Sequence, residues 1–256
     1  MPFRAILDPG FQNSSVPTIH AGPIPPPHPR ARHAFVRSQP LSTKAAPRAQ
    51  SHRKRASLLY ALHDAFRREA ALLVSSAGVA DPTVLGPDWK LFRRYLSIHH
   101  TAEDVALWPA LRYKPGVGHR NLTTLAAMEA EHADLQPLME SIDEALTGER
   151  PTRLPECAAD FCTALLAHLD HEEEAALPLA LAMADEWEWR VFEQVQRRLL
   201  GPEGAATFLP WLLDGAPRHT RREVLGLLSP VTRLKFQTLW RPRYERKNRW
   251  QLPDTE

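Results

Sequence analysis

Apolar side chains recur at intervals of three and four residues along four stretches of the chain, the period of an amphipathic α-helix. The stretches are separated by breaks rich in Gly or Pro: near Gly78, at 114–119 (KPGVGH) and at 147–156 (TGERPTRLPE). The pattern predicts an all-α fold, an up-down antiparallel four-helix bundle whose first helix spans about 52–76. The four apolar stripes are Leu59, Leu62, Phe66, Ala70 and Leu73; Phe92, Tyr95, Leu96 and Ala106; Leu125, Met128, Leu135, Met139 and Ile142; and Phe161, Leu165, Ala175 and Leu179.

Composition divides the 256 residues into three parts. Residues 1–51 are rich in Pro and Arg and show no apolar period, so we expect a disordered N-terminal arm. Residues 52–184 hold the four stripes and form the predicted bundle. Residues 185–256 contain shorter helical patterns and are predicted to be a helical extension of two to four helices that ends in a basic tail. Six aromatic residues of this extension are expected to be packing material: Trp187, Trp189, Phe208, Trp211, Phe236 and Trp240.

One histidine interrupts each apolar stripe where another hydrophobic residue would be expected, so each predicted helix directs an imidazole towards the interior. Two glutamates follow histidines by four residues, and residues so spaced share one face of a helix. The same constellation occurs twice, at an interval of 69 residues. The repeated pairs are His63 and His132, His99 and His168, and Glu103 and Glu172. The chain therefore consists of two copies of a helical hairpin, which a pseudo-twofold bundle would bring to one point.

Four imidazoles and two carboxylates supply most of the ligands that a pair of first-row metal ions needs, and this donor set suits Fe, Mn or Zn better than Mg or Ca. A single inward histidine is more often a hydrogen-bonded core residue than a metal ligand. Burying Glu103 and Glu172 without a cation, however, would cost several kcal/mol each. The repeated set therefore favours a metal site. His100 and His171 point away from the stripes, and we expect them to lie around the ligand set or in solvent, with the alternative that either side chain reaches into the site.

The residues of this constellation resemble those of the hemerythrin-like family, also called HHE cation-binding domains. The resemblance covers about 57–183 and rests on four short motifs in a specific order. The motifs are LHDAF with His63, HHTAED with His99 and Glu103, AEHADLQPL with His132, and HLDHEEE with His168 and Glu172. The resemblance implies an up-down bundle that holds two non-haem iron ions, with Mn or Zn as alternatives. It places His63 and His99 on one iron, His132 and His168 on the other, and Glu103 and Glu172 as bridges.

Two positions depart from the oxygen-carrying members of that family. Those proteins have a second histidine one turn after the third-helix histidine, where this chain has Gln136. They also place the last bridging carboxylate one residue later, so Glu173 could replace Glu172. A missing imidazole leaves more exchangeable positions, which favours redox chemistry or sensing over reversible O2 carriage.

Charge is distributed unevenly behind a net charge of +2. Residues 1–56 contain nine Arg or Lys and one acidic residue, residues 57–217 contain thirteen basic and twenty-five acidic residues, and residues 218–249 contain ten basic and two acidic residues. The basic ends keep open a second function, that of a metal- or redox-responsive sensor or interaction module, although we expect no nucleic-acid partner.

The leading hypothesis is a cytoplasmic di-iron protein that binds or reduces O2, peroxide or nitric oxide. A third hypothesis is an oxidase or oxygenase acting on a small organic substrate. The sequence contains no nucleotide or flavin motif, so electrons would come from an external reductase. No apolar run is long enough to span a membrane, and we expect no membrane association.

Overall fold

The computed structural model describes residues 45–148, 151–247 and 249–251, and this part of the chain contains eight helices and no strand. The fold is therefore all-α, as predicted. Four long helices form the bundle, and each packs along the two helices adjacent to it in the ring. The bundle helices are α1 (Ala45–Ala77), α2 (82–112), α3 (Gly118–Leu146) and α4 (154–183), with a short 3₁₀ turn at Pro151–Arg153 before α4.

The first helix begins at Ala45, earlier than the expected start near residue 52. Pro47 lies in its first turn, where a helix tolerates the missing amide donor. Further along, the guanidinium of Arg55 donates to both carboxylate oxygens of Glu186 at 2.8 and 2.7 Å, and Ser51 donates to the same group at 3.1 Å. These contacts hold the first turns of α1 against the C-terminal extension. The rest of the predicted disordered arm lies outside the described residues.

Two bundle helices contain a wide π-helical turn at equivalent positions of the repeat. The segments are Pro82–Ala102, Glu103–Leu107 (π) and Trp108–Arg112 in α2, and Leu154–His171, Glu172–Ala176 (π) and Leu177–Met183 in α4. In each turn the closing amide, that of Trp108 or Leu177, donates to the carbonyl of the glutamate five residues earlier. Pro109 and Pro178 explain the turns, because a proline cannot donate to the carbonyl four residues back and its ring clashes with it. The repeat is therefore a repeat of backbone geometry as well as of side chains.

Four further helices pack on the bundle, at the upper limit of the predicted two to four. They are α5 (Glu186–Leu200), α6 (Gly204–Leu213), α7 (Arg218–Leu227) and α8 (230–245), and α8 contains a third π-helical turn at Phe236–Trp240 before Pro242. Helix α5 packs on α2, while α6 and α7 pack on α1. The aromatic residues of the extension are buried as expected, except Trp187, which is 63% exposed.

The apolar core consists of two clusters that lie on either side of the histidines. One cluster contains Phe66, Phe92 and Phe161, and the other contains Trp108 and Met128. Along α2, α3 and α4 the histidine of the stripe falls close to the point where one cluster gives way to the other. The bundle therefore has a polar layer across its middle, enclosed by apolar packing above and below.

The end of the described chain is fixed to the bundle by buried ionic contacts. Arg249 makes a bidentate pair with Glu69 of α1 at 2.8 and 2.6 Å and a further pair with Asp88 of α2 at 2.7 Å. The adjacent Trp250 is buried, donates its indole N–H to Glu69 and its backbone N–H to Asp88, and has a φ of +61°. The tail that we expected to be a basic surface segment thus contributes two of its residues to the interior.

Among the described residues, none of the helices combines the length and the hydrophobicity that are needed to span a membrane.

Replacing Arg249 with Ala should destabilise the fold, because it leaves the buried carboxylate of Glu69 without its guanidinium. We expect the free energy of unfolding to fall by about 3–5 kcal/mol. The matched control is Arg241→Ala, which removes a surface pair with Glu245 whose side chains are 47% and 53% exposed and should cost about 0–1 kcal/mol. Urea unfolding of the two variants measures the difference, and equal small losses would contradict the structural role of the buried pair.

Candidate metal centre

The polar layer contains all six side chains singled out by the repeat. None is more than 7% exposed, although each is titratable. They come from all four bundle helices, one histidine from each and one glutamate from the start of each π turn. The six residues are His63, His99, Glu103, His132, His168 and Glu172.

The imidazoles form two pairs whose Nε2 atoms face each other. His63 Nε2 lies 3.0 Å from His99 Nε2, and His132 Nε2 lies 3.2 Å from His168 Nε2. A carboxylate oxygen of Glu172 lies 3.4 Å from the Nε2 of His63. The ligand atoms of His63, His99 and Glu172 are all within 4.8 Å of one another, close enough to be drawn onto a single ion.

The two glutamates lie between the histidine pairs. One oxygen of Glu103 is 3.6 Å from His99 Nε2, and the other is 3.8 Å from His132 Nε2, so each oxygen faces a different pair. The Oε2 of Glu172 is also within 3.8 Å of His168 Nε2, which again brings one carboxylate near both pairs. Both glutamates thus occupy the positions that bridging carboxylates require.

Three further carboxylates surround the pairs and fix the orientation of the rings. Glu173 accepts from His63 Nδ1 at 2.9 Å, Asp104 from His132 Nδ1 at 2.8 Å, and Glu131 from His168 Nδ1 at 2.9 Å. An ionised carboxylate only accepts hydrogen bonds, so the proton of each of these rings resides on Nδ1 and the lone pair of Nε2 points inwards. Hydrogen bonding of this kind is a regular feature around metal-binding histidines.

Sequence reasoning did not identify Asp104 or Glu131, but the repeat contained a signal for one of them. Asp104 and Glu173 are 69 residues apart, as are the histidines that they hold. The geometry also distinguishes Glu173 from Glu172. Glu173 lies outside the layer, where it accepts from both His63 and Arg67 at 2.9 and 2.8 Å. Burial raises its pKa, but these two hydrogen bonds outweigh burial and bring the pKa to about 2.

The donor set fits a cation at each pair. In His132 and His168 both Nδ1 protons are donated to carboxylates, so two lone pairs face each other across 3.2 Å. All four carboxylate oxygens of Glu103 and Glu172 are buried without a hydrogen-bond partner among the described residues. Facing lone pairs repel, and bare buried carboxylates cost several kcal/mol. A cation bound between these atoms would replace the lone-pair repulsion and the unpaired carboxylate charges with favourable contacts.

Burial favours the neutral forms of three residues of the layer. The pKa of His99 is held well below its usual value by burial and by the neighbouring imidazoles of His63, His132 and His168. Burial also lowers the pKa of His168. The pKa of Glu103 is raised well above its usual value by burial and by the proximity of Glu172. These shifts favour the neutral imidazoles of His99 and His168 and the protonated carboxyl of Glu103.

Three other positions considered in the sequence lie in different surroundings. His100, expected to point away from the ligand set, is buried against His132 and His168. His171 is 40% exposed and lies 2.6 Å from Glu131, outside the layer as expected. Gln136 is exposed and donates to Glu140, so its amide is directed away from the imidazoles.

Aromatic rings cover the side of the layer near His99. Phe66 lies against His99 with 5.5 Å between ring centroids, and Trp211 of α6 lies against Phe66 at the same separation. The extension therefore reaches the neighbourhood of the site through packing.

Residues 55–180 match the family model described as the hemerythrin HHE cation-binding domain. This part of the chain is a hemerythrin HHE domain. The match covers α2 and α3, most of α1 and α4, and every residue of the polar layer, so the metal-binding character of the family coincides with the histidine and glutamate clusters of the HHE domain. Neither the comparison with curated proteins nor the comparison with solved structures finds a significant match.

The outer carboxylates should control metal affinity through ring orientation. Asp104→Asn and Glu173→Gln each exchange a charged acceptor for an amide at equivalent positions of the repeat. We expect either variant to bind Fe(II) or Co(II) about 10–100-fold more weakly, with the helical content unchanged. The control is Asp134→Asn, an exposed position of α3. Chelator competition measures the affinities, and unaltered binding in both variants would refute the orienting role.

Metal loading should release protons, because coordinating carboxylates must be ionised. Burial and the proximity of Glu172 raise the pKa of Glu103, which favours its protonated form in the metal-free HHE domain. We expect about one proton per chain to be released on loading, and an affinity that increases as the pH rises, since protonation of Glu103 competes with the metal. Calorimetric titrations in two buffers of different ionisation enthalpy measure the release. Glu103→Gln should abolish it.

Proposed function

We propose that this hemerythrin-like protein holds two iron ions at its His4Glu2 centre and binds or reduces O2, peroxide or nitric oxide. The observation that carries the proposal is the pair of Nε2 lone pairs of His132 and His168, 3.2 Å apart and each fixed inwards by a carboxylate on the opposite ring nitrogen. Apolar packing alone would place a hydrophobic residue at such a position. The equivalent pair in the first half, His63 and His99, supports a second ion.

The donor types favour iron over the alkaline-earth ions. Four imidazoles with two carboxylates form a mixed nitrogen and oxygen set, whereas Mg and Ca bind mostly to oxygen. Mn and Zn are compatible with the same set. Two neighbouring iron ions, when bound, supply a paired redox change and open positions for a small ligand.

The residues of this chain hold and insulate the centre. Glu103 and Glu172 each reach both histidine pairs and keep the two metal positions adjacent. Asp104, Glu131 and Glu173 keep the rings in the tautomer that binds metal. The two apolar clusters on either side of the layer exclude bulk water, so that an electron or proton reaches the centre by a defined route.

The packing favours a small ligand over an organic substrate. Phe66 and Trp211 fill the space beside His99, where an aromatic or aliphatic substrate would otherwise approach. A diatomic molecule or peroxide needs only the space of one or two atoms. We therefore place O2, peroxide and nitric oxide ahead of an organic substrate, with electrons supplied by an external reductase.

Metal analysis of the full-length protein tests the proposal directly. We expect about two iron ions per chain, and near-ultraviolet absorption that changes on exposure of the reduced protein to air, peroxide or nitric oxide. Glu103→Ala and His168→Ala should each abolish stoichiometric loading, because each removes a group that faces the other ligands. Circular dichroism of the variants should retain most of the helical signal.

Leu165→Ala is the control for these two variants, since Leu165 is buried one turn before His168 on the same helix. It should lower stability without changing the number of ions bound. The proposal would be refuted if wild-type protein purified from iron-supplemented cells contained no stoichiometric metal and showed no optical response to O2, peroxide or nitric oxide.

A further inference from the structure

The duplication of the HHE domain is broken at one buried polar position. Residues 69 apart are equivalent for the six residues of the layer and for the outer carboxylates Asp104 and Glu173, whereas the partly exposed Glu131 has Leu62 as its counterpart. Among the buried positions His100 is the exception, because its counterpart is Leu169, a fully buried member of the apolar core. A polar ring therefore stands where the other half of the repeat has ordinary packing.

His100 lacks the contacts that would stabilise a core histidine. It is 6% exposed, and its Nε2 is buried with no hydrogen-bond partner among the described residues. A buried ring nitrogen without a partner costs stability that a leucine would not cost. The position thus requires a reason other than packing.

The ring of His100 lies against both histidines of the second pair. It stacks parallel on His132, with centroids 4.0 Å apart and planes 10° apart, and meets His168 edge-on at 5.0 Å. One ring nitrogen from each of the three residues lies within 4.8 Å of the other two. This is the same spacing as in the set of His63, His99 and Glu172.

The spacing is close to what a common ion requires. Nitrogen ligands bind first-row ions at about 2.0–2.1 Å, so two ligands of one ion are at most about 4.2 Å apart. Small rotations of the three rings bring them within that limit. The adjacent residue His99 faces the first pair, because neighbouring residues on a helix point about 100° apart. Helix α2 thus offers one imidazole to each pair and Glu103 between them.

We propose that His100 is a third imidazole ligand of the metal ion held by His132 and His168. The proposal rests on the proposed di-metal function. The two metal positions are then unequal: the His63 and His99 position has two imidazoles, and the His132 and His168 position has three. The first position keeps more exchangeable sites, so the small ligand binds on the His63 and His99 side.

The test uses full-length protein and two substitutions at residue 100. His100→Leu installs the residue of the equivalent position, and His100→Phe keeps a flat ring against His132 without a ligating nitrogen. Co(II) titration of the metal-free protein should show two binding steps in the wild type. In both variants we expect one of the two steps to weaken by about tenfold or more and the other to stay unchanged. ⁵⁷Fe Mössbauer spectra should show two different quadrupole doublets in the wild type, of which one changes or is lost in the variants.

Stability of the metal-free protein separates a ligand from a packing residue. If His100 is a metal ligand, its unpartnered ring nitrogen destabilises the metal-free fold. Metal-free His100→Leu should therefore melt at the same temperature as the metal-free wild type or at a higher one. A purely structural histidine would show the opposite, a lower melting temperature and two unchanged Co(II) steps, and that result would overturn the proposal for His100. A wild type that binds no metal would instead overturn the di-metal function, and with it this inference. If His100→Leu does not fold, His100→Phe decides between the two.

Discussion

The rest of this fold depends on two carboxylates that are buried among four imidazoles. Glu103 and Glu172 have no hydrogen-bond partner among the described residues, and the rings of His63, His132 and His168 direct lone pairs rather than protons towards the interior. Such an arrangement is costly in an apolar interior unless a positive charge is available. Protonation of Glu103 relieves part of the cost when no cation is bound. A bound cation would relieve more of it, and we therefore interpret the polar layer as a ligand set rather than as a hydrogen-bonded core.

The π-helical turns and the prolines that follow them position these carboxylates. Each π-helical turn starts at a buried glutamate and is followed by a proline that cannot sustain a regular turn. The widened turn leaves Glu103 or Glu172 directed inwards, while the next residue, Asp104 or Glu173, reaches the outer nitrogen of a histidine on another helix. One proline therefore positions two carboxylates with different roles. Wide turns of this kind are often found at functional sites.

The sequence was informative where a single helix face decides the outcome. The histidine of each stripe and the glutamate four residues later depend only on helical period, and the structure brings all six together. Asp104 and Glu131 were not predicted because their roles depend on contacts with a neighbouring helix, which the spacing along one helix does not specify. The burial of His100 was not predicted for the same reason: it lies about 100° from the stripe and becomes buried because α3 packs against that side. The buried pairs of Arg249 were beyond sequence reasoning, since Glu69 lies 180 residues away.

A polar layer in the middle of a bundle has to be supported by the structure outside it. The layer interrupts the apolar core, so the two clusters on either side do not reinforce each other through direct packing. The extension compensates by joining helices that the layer would otherwise loosen. Arg249 connects α1 to α2 through Glu69 and Asp88, and Arg55 connects α1 to α5 through Glu186 and Glu193. Both connections are ionic and lie away from the layer, so they hold α1 in register whether or not the histidines carry a cation. Helix α1 supplies only His63 to the polar layer, and both ionic connections to the extension include a residue of this helix.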